Sequence, residues 1–263
     1  MQVKSLVISL LASSASAQVL KGFNYGATLS SGACRDGAGF KSLFQRANSL
    51  QGTSGFASAR LYTTVQCGTA NDPTSAIQAA IDTGTSLLLG MWGSAGSDAF
   101  NNEITALTRA IQQYSALADR VVGISVGSED LYRSSPQGVA NQAGIGANAA
   151  AITDYIGRVR KAIAGTSLAG KPIGHVDTWT AWILPENAAV AQAVDFLGHN
   201  SFPYFETTRA NSIAQATDNF KSALSATEGV AKGKPVYVTE TGWPHTGPTS
   251  GQAVASNQNA ETY

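Results

Sequence analysis

The segment Val121-Val-Gly-Ile-Ser-Val-Gly-Ser-Glu129 decides the fold class, because it is an apolar strand that ends abruptly in a carboxylate. The segment Val236-Tyr-Val-Thr-Glu240 has the same form near the end of the chain. Strands that are apolar on both faces are typical of a parallel sheet that helices cover on its two sides. Elsewhere in the chain, similar short runs alternate with stretches of helical spacing, which predicts a repeated βα unit.

The alternation predicts a specific order of elements along the 263 residues. The predicted strands cover residues 19–25, 56–62, 86–92, 121–126, 172–176, 196–201 and 235–239. The predicted helices cover residues 40–50, 75–83, 99–117, 147–164, 185–193, 213–230 and 252–263. No linker, repeat or low-complexity segment divides the chain, so a single α/β domain is expected.

Two parallel architectures compete for this pattern, the (β/α)₈ TIM barrel and the doubly wound open sheet. No G-x-G-x-x-G motif follows the first strand, which disfavours a dinucleotide-binding sheet. Polar and aromatic residues follow nearly every strand, and a barrel would bring these strand ends together at one mouth. The barrel is therefore preferred, with an eighth strand expected beyond Tyr263.

The charge of the chain argues against a charged partner. Charged residues make up 13% of the sequence, and 17 Lys and Arg balance 17 Asp and Glu. Without a basic patch, nucleic acid is not an expected partner. A neutral polymer such as a polysaccharide fits this composition, and no protein partner is implied.

The first 17 residues have the three parts of a signal peptide. Lys4 precedes the apolar run 5–12, and Ala15-Ser16-Ala17 fits the small-x-small cleavage rule. Cleavage after Ala17 would leave a domain of residues 18–263 that is secreted. A buried first strand or helix is the alternative, and no later stretch reaches the roughly 20 apolar residues of a membrane span.

The two cysteines, Cys34 and Cys67, are expected in the loops after the first and second strands. Adjacent strands bring such loops together, and export permits a disulfide, so a bond between them is possible. The distance between the two residues decides whether it forms. The absence of CxxC and His-x-x-x-His patterns predicts no metal site.

Glu129 and Glu240 are the candidate catalytic pair. Hydrolysis of a glycosidic bond needs one carboxyl that protonates the leaving oxygen and a second that attacks the sugar carbon or activates water. Each Glu lies at the carboxyl end of a predicted strand, so both would face the same mouth of a barrel. The alternative is that each is a surface residue just past a strand.

Other side chains near the strand ends are candidates for substrate binding, because sugar rings stack on aromatic faces. The candidates are Tyr25, Arg60, Tyr62, Trp92, Ser128, Asp177, Trp179, Asn200, Tyr204 and Trp243. For any single aromatic ring, core filling is the alternative, and Arg60 could instead pair with a carboxylate at the mouth. His175 and His199 lie in apolar strands and are interpreted as satisfied core or supporting residues.

Six motifs together resemble glycoside hydrolase family 17, over essentially residues 19–263. They are Gly22-Phe-Asn-Tyr-Gly26, Ser58-Ala-Arg-Leu-Tyr62, Val126-Gly-Ser-Glu-Asp130, His175-Val-Asp-Thr-Trp179, Phe202-Pro-Tyr-Phe205 and Val238-Thr-Glu-Thr-Gly-Trp-Pro244. The fungal, wall-associated endo-β-1,3-glucanases of that family are the most similar in these motifs.

The resemblance implies a (β/α)₈ barrel, a retaining mechanism, no cofactor and β-1,3-glucan as the substrate. It implies that Glu129 is the acid/base, that Glu240 is the nucleophile and that Tyr204 lies near the nucleophile. Localisation would be extracellular, at the cell wall. The protein would associate with a membrane only through a lipid anchor in a longer form of the chain.

Two features depart from the family pattern. Many members have Asn before the acid/base, where this chain has Ser128. Members also continue through a further Cys region and an eighth strand, so this chain is expected to be incomplete at its C-terminal end.

Three functions remain open from the sequence. The first is hydrolysis or transglycosylation of β-1,3-glucan, and the second is non-catalytic glucan binding in the wall. The third is a similar barrel acting on β-1,4-mannan or cellulose. The presence of both carboxylates favours an enzyme.

Overall fold

The computed structural model describes residues 20–263, so the predicted signal peptide of residues 1–17 lies outside the described residues. Within this range the chain forms one seven-stranded parallel sheet. The strands are β1 (Gly22–Tyr25), β2 (Ser58–Leu61), β3 (Ser86–Met91), β4 (Val121–Ser128), β5 (Ile173–Thr178), β6 (Phe196–Asn200) and β7 (Val236–Glu240).

Every connection between consecutive strands contains at least one α-helix, and the last two connections also contain a 3₁₀ turn, at Pro185–Asn187 and Pro203–Phe205. The helices are α1 (Gly37–Asn48), α2 (Ala76–Thr83), α3 (Ser97–Gln113), α4 (Leu117–Arg120), α5 (Asp130–Ser134), α6 (Pro136–Ala140), α7 (Ala149–Ile163), α8 (Trp179–Trp182), α9 (Ala188–Ala193), α10 (Ile213–Ala231) and α11 (Asn257–Thr262). Side chains cap several of them. Asp36 and Asn148 each accept a backbone N–H in the first turn of α1 and α7, which stabilises a helix start.

The strand order β1-β2-β3-β4-β5-β6-β7 is sequential, and every neighbouring pair is parallel. A doubly wound sheet would reverse its order at a switch point, so the barrel prediction is confirmed. The sheet curves until its two outer strands approach each other at the mouth. There Asn24 of β1 donates a hydrogen bond to the carbonyl oxygen of Thr239 in β7, at 2.8 Å.

The main core lies inside the barrel and between the sheet and its helices. Leu87, Leu89, Met91 and Ile124 of the central strands are fully buried. Helix α7 buries one face, which includes Ile152, Ile156 and Val159 as its spacing predicted. Burial of such side chains contributes about 1.5–3 kcal/mol each to folding, as an upper bound.

Most predicted elements differ from the observed ones at their ends, and two of these differences are at the mouth or near the last residues. Strand β4 extends to Ser128, two residues beyond the prediction, so it delivers Glu129 directly to the mouth. The helix predicted over residues 252–263 is confined to Asn257–Thr262. Ala253 is instead paired with Ser250 in an isolated bridge, and Ser256 caps the shorter helix by accepting the backbone N–H of Asn259.

Cys34 and Cys67 lie in the loops after β1 and β2, and a disulfide joins them with their Cα atoms 5.3 Å apart. This distance is ordinary for a disulfide. The bond ties together two loops on the side of the barrel that carries the mouth. Across residues 20–263, no helix combines the length and apolarity that a membrane crossing requires.

Candidate active site

The carboxyl ends of the strands lie together at the mouth of the barrel. Glu240 is the last residue of β7, and Glu129 directly follows β4. Because all seven strands are parallel, both side chains emerge at the same end of the sheet. This is the edge at which barrel enzymes place their reactive groups.

The carboxylate of Glu240 is held by two donors from β2 and the residue that follows it. Arg60 Nη1 lies 2.6 Å from Glu240 Oε1, and the Tyr62 hydroxyl donates to the same oxygen at 2.9 Å. Arg60 is almost fully buried, and its guanidinium carbon lies 4.5 Å from the centre of the Tyr62 ring. Both contacts favour the ionised carboxylate, and both leave Oε2 free to react.

Replacing Tyr62 with phenylalanine is expected to lower kcat about 10- to 100-fold, because a hydrogen bond to a charged group contributes about 1.5–3 kcal/mol. Burial and the nearby Glu240 raise the pKa of Tyr62 to about 12, so its hydroxyl is a donor at any working pH. Steady-state rates on laminarin measure the loss. The control Y237F removes a hydroxyl from the same strand as Glu240, from a ring that packs on Phe196. An equal loss in both variants would contradict the assignment.

Glu129 has a different environment. Asn200 Nδ2 donates to its Oε1 at 3.0 Å, and Arg133 Nη2 lies 3.8 Å from its Oε2. Burial raises the pKa of Glu129, and the charges of Glu240 and Asp177 raise it further, while the Asn200 hydrogen bond opposes them. The carboxyl therefore retains its proton to a higher pH than an exposed glutamate, as a general acid requires.

The backbone at Glu129 is strained. Its φ is 58°, in the left-handed region that a residue other than glycine occupies at a cost of about 1–2 kcal/mol. The N–H of Glu129 donates to the Val176 carbonyl of β5, and its own carbonyl accepts the Arg133 N–H. These contacts hold the turn that points the carboxyl into the mouth.

Two tryptophans flank Glu129, since Trp92 follows β3 and Trp179 begins α8 after β5, the two neighbours of β4. Both are partly exposed. The Arg133 guanidinium carbon lies 5.0 Å from the Trp92 ring centre, and that of Arg209 lies 5.2 Å from Trp179. Partly exposed rings next to an acid are suited to stacking on sugar faces.

Three of the aromatic residues that are candidates for sugar contact are largely buried. Tyr25 belongs to the main core, where it packs edge-on against Phe44. Tyr204 and Trp243, 3% and 8% exposed, pack against each other in a second, smaller cluster. The Tyr204 hydroxyl donates to the Pro248 carbonyl and not to Glu240. Protein covers most of their surfaces, which favours core filling, and sugar contact stays a prediction for them.

Asp177, a further candidate for substrate binding, is fully buried. Its carboxylate accepts the backbone N–H groups of Leu131 at 2.9 Å and Tyr132 at 3.2 Å, in the first turn of α5. Negative side chains stabilise that end of a helix. Asp177 therefore supports the segment after Glu129.

Three further candidates are buried and contact the two carboxyls or each other. Arg60 pairs with Glu240, as its alternative interpretation predicted, and its Nη2 donates to Ser128 Oγ at 2.9 Å. Asn200 donates to Glu129 and accepts from the Thr239 hydroxyl at 2.7 Å. These side chains orient the two carboxyls, and their contact with sugar stays a prediction.

Sequence reasoning missed several supporting residues. Arg133 had a usable signal, because it lies four residues after Glu129 and a short helix brings such pairs together. Glu206, which accepts a hydrogen bond from Trp179 Nε1 at 2.7 Å, had none. Neither did Glu103, whose partners lie about 40 residues away along the chain. In residues 20–263, no group of three His, Cys, Asp or Glu is arranged to hold a metal ion.

Glu103 of α3 is a buried carboxyl that supports the loop after β2. It accepts hydrogen bonds from the Thr63 hydroxyl and from the Thr64 N–H. Burial raises its pKa from 4.5 to about 7. The folded protein therefore favours the protonated form, and ionisation of Glu103 above that pH costs folding free energy.

The free energy of unfolding of E103Q is expected to rise relative to that of the wild-type protein as the pH rises. Protonated Glu103 stabilises the folded wild-type protein. This stabilisation is complete below about pH 4.5 and is lost as the pH rises through 7. A difference of 2.5 pKa units changes the relative free energy of unfolding by about 3 kcal/mol between pH 4 and pH 8. Urea unfolding of both proteins measures it, with the exposed glutamate variant E228Q as the control. A difference that does not vary with pH would contradict this prediction.

Comparisons with known proteins agree with this geometry. A family model described as the BtgE/BtgC glycoside hydrolase domain matches residues 22–263. The probable glucan endo-1,3-beta-glucosidase eglC of Aspergillus fumigatus is 55% identical over 264 residues, which is 100% of this chain and 59% of that protein. The chain thus spans little more than half the length of this relative.

Solved structures from Rhizomucor miehei have the same fold. A glycoside hydrolase family 17 β-1,3-glucanosyltransferase superimposes with a TM-score of 0.73 at 28% identity, over 93% of this chain and 79% of that one. An active-site mutant of that enzyme, in complex with laminaritriose, matches with the same TM-score and coverage.

Proposed function

Because the chain belongs to the BtgE/BtgC glycoside hydrolase domain family, we propose that it is a retaining glycoside hydrolase that cleaves β-1,3-glucan. One observation carries the proposal, namely the contrast between the two carboxyls at the mouth. Arg60 and Tyr62 stabilise the charge of Glu240, while burial and neighbouring negative charge raise the pKa of Glu129. A pair divided in this way supplies one nucleophile and one acid.

In the first step, Glu240 Oε2 attacks the anomeric carbon while Glu129 gives its proton to the departing glycosidic oxygen. Arg60 and Tyr62 hold the other oxygen of Glu240, so the attacking carboxylate keeps one orientation. The product is a covalent glycosyl-enzyme ester. In the second step, Glu129 takes a proton from water, whose oxygen attacks the same carbon from the face opposite Glu240, so that the ester bond breaks and Glu240 leaves as a carboxylate. Two inversions retain the β configuration.

Transfer to a second glucan chain is the other candidate outcome of the same intermediate. The similarity to the Rhizomucor miehei enzyme, which is a β-1,3-glucanosyltransferase, supports this candidate. Trp92 and Trp179 follow the two strands that neighbour β4, and an acceptor sugar would stack on such partly exposed rings. Well-bound acceptor sugar would compete with water and turn hydrolysis into transfer.

The substrate assignment is tested by comparing laminarin with β-1,4-mannan and cellulose at equal concentration. Release of sugar from laminarin alone is the expected result. Proton NMR of the first products should show the β anomer, whereas an α anomer would indicate an inverting enzyme. Binding of laminarin without any released sugar would instead favour a non-catalytic glucan-binding protein.

Product analysis on laminari-oligosaccharides of defined length distinguishes the remaining modes. Internal cleavage gives mixed shorter oligosaccharides, and exo action gives a single small product. Products longer than the starting oligosaccharide would identify transfer. These outcomes refine the proposed activity, because all of them use the same two carboxyls.

For localisation, we propose secretion to the fungal cell wall. The signal-peptide pattern of residues 1–17 and the Cys34–Cys67 disulfide support export.

A further inference from the structure

The strand that carries Glu129 is irregular just before its end. Strand β4 pairs regularly with β5 at Ser125↔Gly174, and the register then shifts to Ser128↔Val176. At this irregularity the ring of His175, from β5, lies with its Nδ1 2.6 Å from the Val126 carbonyl oxygen. Its Nε2 lies 2.9 Å from Asp177 Oδ2, and the side chain is fully buried.

The hydrogen-bond partners determine the protonation of this ring. A carbonyl oxygen can only accept, so Nδ1 must carry a proton. Asp177 already accepts backbone N–H groups from Leu131, Tyr132 and Thr178, which is the pattern of an ionised carboxylate. Nε2 must therefore donate as well, and His175 is an imidazolium with both ring protons in use.

Electrostatics agree with that geometry. Burial by itself lowers the pKa of His175, but the hydrogen bond and charge of Asp177 and the charge of Asp130 outweigh it, so that the pKa lies above its ordinary value. These two carboxyls are the charged groups that face the ring. On the remaining side, Trp182 of α8 packs edge-on against it at 5.5 Å between ring centres.

The same two carboxyls hold both neighbours of the acid/base. Asp130 Oδ2 accepts the Ser128 N–H at 2.7 Å, directly before Glu129. Asp177 accepts the N–H groups of Leu131 and Tyr132, which lie two and three residues after Glu129. Glu129 itself adopts a φ of 58° between these anchors. A strained residue keeps such a conformation only when its surroundings enforce it.

We propose that His175, as a buried imidazolium, is a positioning residue for the acid/base Glu129, acting through Val126, Asp177 and Asp130. This inference rests on the proposed function, because it assigns His175 to one half of that reaction only. Glu240 is held separately, by Arg60 and Tyr62. Loss of His175 should therefore impair proton transfer and spare nucleophilic attack.

The test is the variant H175Q. Glutamine carries no charge, and its single amide nitrogen cannot replace two ring nitrogens that donate in different directions to Val126 and Asp177. Its rate on laminari-oligosaccharides should fall about 10- to 100-fold, because displacing an acid by about 1 Å costs this much. With dinitrophenyl laminari-oligosaccharides, whose leaving group needs no acid, the initial burst of phenol should stay within about 3-fold of wild type.

The matched control is H199Q. His199 is equally buried on the next strand, but it contacts Thr227 Oγ1, and burial lowers its pKa to about 4, so it is neutral. H199Q should lower thermal stability and change both rates by a similar factor. If H175Q also lowers both rates equally, or lowers neither, the positioning role is refuted. A wild-type protein without activity on β-1,3-glucan would refute the proposed function itself.

A second measurement applies even if H175Q does not fold. Nitrogen-15 NMR of the wild-type protein at pH 6.5, the ordinary pKa of histidine, should show the doubly protonated ring as the major form of His175. A spectrum of the neutral tautomer would overturn the proposal. His199 provides the neutral reference signal in the same spectrum.

Discussion

Replacing Glu240 with alanine is expected to abolish turnover of every β-glucan, with a loss of at least about 10⁴-fold in kcat. The variant lacks the oxygen that forms the covalent intermediate, so leaving-group quality cannot compensate for it. An activated dinitrophenyl glycoside should therefore be as poor a substrate as laminarin. Stopped-flow measurement of phenol release checks this, since neither a burst nor a steady rate should remain.

The structure makes this loss interpretable. Removing the carboxylate leaves Arg60 buried with no charged partner in the mouth, because Glu240 is its only ion pair among the described residues. Breaking such a pair destabilises a protein by about 3–5 kcal/mol. E240Q, which keeps the volume and can still accept from Tyr62, separates chemical loss from unfolding. Azide added to either variant would attack directly and give an α-glycosyl azide.

Replacing Glu129 with alanine is expected to slow hydrolysis of laminarin by about 10²- to 10⁴-fold, because it removes the acid and the base but not the nucleophile. The first step should survive for dinitrophenyl glycosides, which depart without a proton. The intermediate should then accumulate, because no base activates water. Azide needs no general base, so it should restore turnover and yield a β-glycosyl azide.

The pH dependence provides an independent check on Glu129. In the wild type, activity on laminarin should decline at a pH above the ordinary glutamate range, because the pKa of Glu129 is raised by burial and by Glu240. The alanine variant should lack that decline when the first step is measured with the dinitrophenyl substrate. Identical responses of E129A and E240A to azide and to the activated substrate would show that the two roles are wrongly assigned. The exposed variant E228A controls for loss of a surface charge.

The architecture was accessible from the sequence because strand and helix signals are local. Apolar runs of strand length alternate with helical spacing, and all seven strands form in the predicted order. The confirmed resemblance to glycoside hydrolase family 17 rests on motifs at the strand ends. Boundaries were less predictable. The helix expected from residue 252 begins at Asn257, because Ser250 and Ala253 are bridged and Ser256 caps the later start.

Identical residue types at strand ends acquired different roles in the structure. Trp92 and Trp179 are partly exposed beside Glu129, whereas Trp243 and Tyr204 are buried against each other. Helix α10 and the segment of residues 250–263 cover the second pair, and those contacts join residues far apart in sequence. No local pattern distinguishes a ring that a distant segment covers from one that it leaves open.

The sequence by itself determined the parallel barrel and the placement of Glu129 and Glu240 at one mouth. Each carboxylate lies at the carboxyl end of its strand, and parallel strands place these ends on the same side of the sheet. Only the tertiary structure decided which groups surround each carboxyl. Arg60 and Tyr62 reach Glu240 across about 180 residues of chain, and Asn200 reaches Glu129 across 71. The protonation of a group depends on its burial and on the charges around it, and folding alone brings these together.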